Sequence, residues 1–207
     1  MKDNNMLVKK TRKFHITTNS KHQFYKSPNR IKGLTPTHPE QAWVSDITYI
    51  RLEKNHAYLA LVTDLYSKKI MGYKLETHMK ASLVKDALAM ALNNRIYSHQ
   101  AIIHHSDRGI QYCAPEFTEY AENNGIILST TQQYDPYENA VAERINGILK
   151  YEFGFRRTLP NLVTAQKMLR QAVRTYNAER RHCSLSMQTP EFAHRNKEHK
   201  YKFYNLN

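Results

Sequence analysis

Thiols are nearly absent from this chain: Cys113 and Cys183 are the only cysteines in 207 residues. They support neither a disulfide framework nor a Cys-x-x-Cys zinc knuckle, and a reducing cytosol is the expected compartment. The eleven histidines are scattered, and the one adjacent pair, His104-His105, has no Cys or His at ligand spacing. Long apolar runs are missing as well. No stretch approaches the ~20 residues of a membrane span. The N-terminus is polar and basic, without the apolar segment of a secretory signal. Membrane proteins, secreted disulfide scaffolds and zinc-knuckle proteins are set aside on these grounds.

What the chain has in excess is positive charge, a net +13. The excess is uneven. Residues 1–42 carry nine Lys/Arg against two acids, and residues 144–207 carry thirteen against four. Residues 43–143 reverse the balance, with nine Lys/Arg against twelve acids. A slightly acidic centre between two basic arms points to a polyanionic partner. The length suits one good core with extensions.

Residues 1–40 read as a basic arm and linker, with the cluster Lys9-Lys10-Thr11-Arg12-Lys13 and a Pro- and Gly-punctuated stretch from Lys26 to Glu40. Order begins at Trp43. Three strands are expected at Trp43–Arg51, Ala57–Asp64 and Lys69–Glu76, and their short connections imply an antiparallel meander. Helical spacing marks Lys80–Asn94, and a short buried strand follows at Ala101–His105. A helix at Ala114–Asn124 has Pro115 in its first turn, and Ile126–Ser129 is the last strand. Asp135 reads as an N-cap with Pro136 first in the helix and Glu138 three residues after the cap. That helix runs to about Phe153, and another covers Asn161–Asn177. From Ala178 a basic, aromatic tail is expected to cross a surface.

Three carboxylates stand out. Asp46 lies mid-strand in W-V-S-D-I-T-Y-I, where an Asp is disfavoured unless a metal or a cation compensates. Asp107 follows the apolar strand, where its carboxyl end opens onto a crevice. Glu143 lies on a helix and shares one face with Asn139, Asn146, Gly147 and Lys150. That face can track a phosphodiester backbone. Three carboxylates on three elements are what two hard divalent cations need for an in-line displacement at phosphorus. Asp64 reads instead as a hairpin residue, and Asp135 and Glu138 as cap residues.

The stretch from Trp43 to Arg195 resembles the integrase-core catalytic domain of bacterial insertion-sequence transposases, in the B-frame type close to retroviral integrases. The resemblance rests on W-x-x-D-I-T-Y, V-T-D-L-Y-S-K-K-I-M-G-Y, H-S-D-R-G-x-Q-Y, Y-E-N-A-V-A-E and Y-N-x-x-R-x-H-x-S-L-x-x-x-T-P-E, in that order, and on the 35 residues between Asp107 and Glu143. It implies an α/β, ribonuclease-H-like fold: a mixed five-stranded sheet flanked by helices over 41–155. The basic arm 1–40 then precedes the core, as the remnant after an absent helix-turn-helix region, and a helical basic extension, 156–207, follows it. It implies a DDE transposase with Asp46, Asp107 and Glu143 as catalytic metal ligands. Two Mg²⁺ are expected, with Mn²⁺ able to substitute. It places Lys150 at DNA near the scissile phosphate, with Asn139 in the same groove. Arg180, Arg181 and His182 are candidates for phosphate contact, with packing of the tail on the core as the competing role. The implied partners are double-stranded DNA, both element ends and target, and further copies of the chain on that DNA, in a bacterial cytosol. Two other roles compete: a truncated, non-catalytic DNA-binding regulator of transposition, and a ribonuclease-H-like nuclease acting on hybrids.

Overall fold

The computed structural model describes residues 22–132 and 139–196. Its sheet has five strands: β1 (Ala42–Arg51), β2 (His56–Asp64), β3 (Ile70–Glu76), β4 (Ile102–Ser106) and β5 (Ile126–Thr130), in the order β3-β2-β1-β4-β5. β1, β2 and β3 pair antiparallel, while β4 runs parallel to β1 and β5 parallel to β4. Tight turns serve the first three strands. The two parallel strands are reached through helices, because a parallel crossover needs a dozen or more residues. α1 (Ala81–Asn93) leads from β3 to β4, and α2 (Ile110–Cys113) and α3 (Pro115–Asn123) lead from β4 to β5. α4 (Ala140–Tyr151), α5 (Leu162–Ala178) and α6 (Pro190–Arg195) follow the sheet. This is the ribonuclease-H-like fold of integrase cores.

The period of two along a strand divides the core into two layers. Trp43, Ile47, Ala60 and Val62 face Leu83, Val84, Leu88 and Phe117 of α1 and α3. Ile50, Leu59, Leu61 and Leu75 face the opposite way, onto Ile145, Ile148, Leu149, Leu169 and Tyr176 of α4 and α5. The sheet is buried on both faces. α1 comes closest at Gly72, where an added Cβ would lie 2.1 Å from the Ala87 carbonyl oxygen and 2.6 Å from the Ala91 nitrogen. Gly72→Ala is therefore expected to destabilise the protein by about 1–3 kcal/mol or more, the usual cost of overpacking. Calorimetry checks this, and an unchanged melting temperature would mean that α1 re-seats freely.

Every strand expected from the sequence forms, each within a residue or two of its expected ends. The helix expected from Pro136 is seen from Ala140 to Tyr151, while Asp135, Pro136 and Glu138 lie outside the described residues. So does the basic cluster Lys9–Lys13. Two short helices were not expected. α2 follows Asp107 closely, with Gly109 as its N-cap. α6 is begun by Thr189, whose hydroxyl accepts from the Phe192 amide at 3.3 Å, with Pro190 at its first position.

The stretch Lys26–Glu40, expected as a linker, forms neither helix nor strand, yet it lies on the core. Ile31 and Leu34 pack against Ala42, Val44, Leu65 and Ala142. The Arg30 amide donates to Ser129 Oγ at 2.9 Å, and Thr130 Oγ1 donates to the Ser27 carbonyl at 2.6 Å.

Glu40 ends this stretch inside a buried polar knot. Its carboxylate accepts from the Ile96 amide (2.7 Å), Arg95 Nε (3.1 Å) and His194 Nε2 (3.3 Å). Its own amide donates to Asp64 Oδ2 at 2.7 Å. The other Asp64 oxygen accepts from the Ser67 amide and hydroxyl, both at 2.7 Å. Because the Ser67 proton goes to Asp64, Ser67 Oγ is an acceptor for His194 Nδ1 at 2.9 Å. With Nδ1 facing Ser67 Oγ and Nε2 facing Glu40, both ring nitrogens are placed to donate, which favours the protonated ring. Burial alone would lower its pKa, but the Asp64 carboxylate, 3.8 Å from Nδ1, and the bond to Glu40 outweigh that and raise it. Asp64, expected as a simple hairpin residue, does hold its turn, and it also joins this knot.

Candidate active site

β1 and β4 position the first two carboxylates. Their parallel register pairs Ala42 with Ile103, Trp43 with His104 and Val44 with His105. Two residues beyond Val44, within β1, stands Asp46, and two beyond His105, just past the end of β4, stands Asp107. Asp46 Oδ1 accepts from the Ile47 amide at 2.8 Å, and Oδ2 accepts from Asn146 Nδ2 at 2.9 Å. Asp107 Oδ1 accepts from the Gly109 amide at 2.9 Å. A Cβ at residue 109 would sit 2.9 Å from that same oxygen, so a side chain there would push the Asp107 carboxylate aside.

Glu143 stands in the first turn of α4 and is exposed. Two amides stitch this helix to β1 on either side of it: Asn146 to Asp46, and Asn139 Nδ2 to the Ser45 carbonyl at 3.0 Å. Asn139 is consequently buried. It lies beneath the site rather than in an open groove.

The acids feel one another. Burial lifts the Asp46 carboxyl and nearby Asp107 lifts it further. The bonds from Asn146 and Ile47 pull it down, Glu143 raises it again, and it comes to about 7 instead of 3.8. No lysine or arginine forms an ion pair with Asp46 among the described residues. Among them, too, no three His, Cys, Asp or Glu side chains are gathered closely enough to hold a metal ion. The donor set nevertheless fits a hard divalent cation. All three groups are carboxylates, and Asp46 is held in no ion pair among the described residues. Tyr112 lies under the same acids and was not singled out from the sequence. Its hydroxyl is buried without a hydrogen bond, and burial, Asp107 and Asp46 push its pKa well above the usual value.

Lys150 follows Glu143 by two helical turns. It is half-buried, with Nζ 4.7 Å from the centroid of the Tyr49 ring. Burial lowers its pKa, and Asp46 works in the opposite direction. The remaining expected DNA contacts divide. Arg180 forks onto Glu152, with Nε at 2.6 Å and Nη2 at 2.7 Å from its oxygens. His182 turns inward, edge-on to Tyr176 at 5.4 Å. Burial, then Arg180 and Lys68, lower it to about 4, so it carries no charge at neutral pH. Arg181 is exposed. His104 and His105 bind strands together rather than a metal, through Ser45 at 2.7 Å and Ser129 at 2.8 Å.

Residues 36–136 match a family model described as integrase core domain, and residues 124–190 match a second model of that description. The chain is 36% identical over 200 residues to the insertion element IS600 uncharacterized 31 kDa protein of Shigella sonnei, covering 96% of this chain and 73% of that one. It is 38% identical over 121 residues to a putative transposase for insertion sequence element IS986/IS6110 of Mycobacterium tuberculosis, covering 56% of this chain and 44% of that one. It is 34% identical over 146 residues to transposase InsF for insertion sequence IS3A of Escherichia coli, covering 70% and 50%. The chain thus spans about half the length of these last two relatives. Among solved structures, a simian T-cell lymphotropic virus intasome chain gives a TM-score of 0.66 at 22% identity, over 89% of this chain and 63% of that one. The HTLV-2 integrase catalytic core domain in complex with magnesium gives 0.61 at 20% identity, over 76% and 97%. At such identities these structures share the fold.

Proposed function

Because the chain belongs to the integrase-core family of insertion-sequence transposases, we propose that it cuts and rejoins DNA at the ends of an insertion sequence, as a DDE transposase. The observation that supports this reading is that Asp46 in β1 feels the charge of Asp107, which follows the parallel neighbour β4, and more weakly that of Glu143 on α4. Divalent metal ions, Mg²⁺ or Mn²⁺, would be held by these three carboxylates; when bound they lower the pKa of an attacking water or 3′-hydroxyl and stabilise the departing 3′ oxygen.

The chain's own side chains have distinct roles. Asn146 and the Ile47 amide fix the rotation of the Asp46 carboxylate. Gly109 fixes Asp107. Asn139 and Asn146 hold the Glu143 turn of α4 to β1, so that Glu143 closes on the pair by a side-chain movement. Lys150 offers a cation to the phosphate from the same helix. The bonds exchanged are P–O bonds: a hydroxyl oxygen attacks phosphorus and the 3′ oxygen leaves, carrying the electron pair.

The deciding assay incubates the chain with supercoiled plasmid and with duplexes of element-end sequence, in Mg²⁺, Mn²⁺ or EDTA, beside Glu143→Gln. Metal-dependent nicking or joining that Glu143→Gln loses is the expected result. Binding without cleavage would instead favour a non-catalytic regulator. Cleavage confined to RNA–DNA hybrids would favour a ribonuclease-H-like nuclease.

A further inference from the structure

Beside the acids, on the outer side of α4, lies a groove that the reaction above does not use. It encloses about 470 Å³ between α4 and the segment after α5, and Lys68, Arg144, Arg180, Arg181, Ile145 and Ile148 are among its lining residues. Ala140, Arg144 and Ile148 also line the cavity that contains Glu143, so the two depressions share a wall. We propose that this groove binds the sugar–phosphate backbone of the DNA strand flanking the phosphodiester held at the acids, with Arg144, Arg181 and Lys68 on the phosphate and Ala140 and Val141, which also line it, against the sugar.

Three observations support it. Four cations line the groove, and among the described residues only Arg180 is answered by an ion pair, the one to Glu152. Arg144 is exposed and makes no hydrogen bond or ion pair among the described residues. Lys68 is the third. It occupies the left-handed region at φ 62, which glycine or asparagine enters at least cost. Among the described residues its ammonium is bonded to the Leu65 carbonyl alone, at 2.5 Å. Burial lowers its pKa, with Asp64 opposing. His182, on the same groove, is kept neutral first by burial, with Arg180, Lys68 and Arg144 adding to that and Glu152 opposing. An apolar floor between cations suits a deoxyribose and its phosphate better than a free anion. A volume within the ~300–1,000 Å³ of ordinary ligand sites accommodates one nucleotide.

The inference rests on the reading of the chain as a DNA-acting enzyme, and its test is separable from catalysis. Binding of a fluorescent duplex is measured by anisotropy across a salt series in the Asp107→Asn background, where no cleavage intervenes. Arg144→Ala and Lys68→Gly are each expected to weaken binding about tenfold and to flatten the log-affinity against log-salt slope by about 0.9, the loss of one phosphate contact. Lys68→Gly is also expected to hold or raise the melting temperature, which a merely structural lysine would not allow together with weaker binding. Lys85→Ala, on α1 behind the sheet, removes the same charge and is expected to change neither quantity. Unchanged slopes in both groove variants, or an equal effect of Lys85→Ala, would overturn the proposal. If the wild type never cleaves but the groove variants still lose binding, the groove stands and the transposase reading alone fails.

Discussion

Asp46→Asn is expected to lower metal-dependent cleavage by on the order of 10³-fold or more and, in EDTA, to raise the melting temperature. The two effects share a cause. In the folded chain Asp46 is held near Asp107 and Glu143 without a cation, and its carboxyl is pushed up to about 7 by burial and by those neighbours. The carboxylate is thus a destabilising charge that a divalent ion would relieve. Asparagine keeps the shape and the acceptor for the Ile47 amide. Its amide can donate to the oxygen of Asn146, which is buried without a partner, once that side chain turns over. Removing the charge therefore removes repulsion while leaving the packing intact, and only the metal ligand is lost. Plasmid nicking and a thermal melt of the same preparation check both halves. Cleavage within tenfold of wild type would remove Asp46 from the catalytic set. Loss of cleavage together with a lower melting temperature in EDTA would make Asp46 a packing residue.

The largest stability effect is expected at His194. Truncation to alanine leaves Glu40 and Asp64 facing each other with a cation removed from between them. Breaking a buried ion pair costs about 3–5 kcal/mol. For a chain of this size that is a fall of roughly 6–20 °C in melting temperature. The pH dependence has a definite sign. His194 has a raised folded pKa, so its contribution is complete below its unfolded value of 6.5 and is lost as pH rises through the folded value. Burial raises Glu40, but its bonds from His194, Ile96 and Arg95 outweigh this and bring it to about 2. Its contribution is present above 4.5 and is lost as pH falls toward 2. The knot is strongest between about 4.5 and 6.5. The melting-temperature gap between wild type and His194→Ala is expected to narrow as pH rises into the alkaline range. A gap independent of pH would mean that His194 acts by packing as a neutral ring.

The sheet was legible because its strands are apolar runs bounded by turn residues, a signal that is local. Asp46 and Asp107 were legible as candidates because each interrupts or ends such a run. Asn139 shows where local reading stops. On a helical wheel it shares the Glu143 face, but it is the N-cap, with φ −128 and ψ 22, and that backbone takes its side chain off the wheel toward Ser45. Arg180 looked like a free cation because its partner, Glu152, is 28 residues away. The four residues of α2 are too few to show a period. Glu40 was hidden in a stretch punctuated by Pro28, Pro36 and Pro39. Nothing near it announces a His194 lying 154 residues further on.

That pairing has a consequence for how the chain can be divided. A chain shortened to begin at Ala42 would keep all five strands, yet Arg95, the Ile96 amide and His194 would lose their common acceptor. One ended at Ala178 would keep the sheet and α5, yet Glu40 and Ser67 would lose the ring between them. Strand boundaries are therefore the wrong places to cut. A piece of this chain that keeps the knot includes residue 40 at one end and residue 194 at the other.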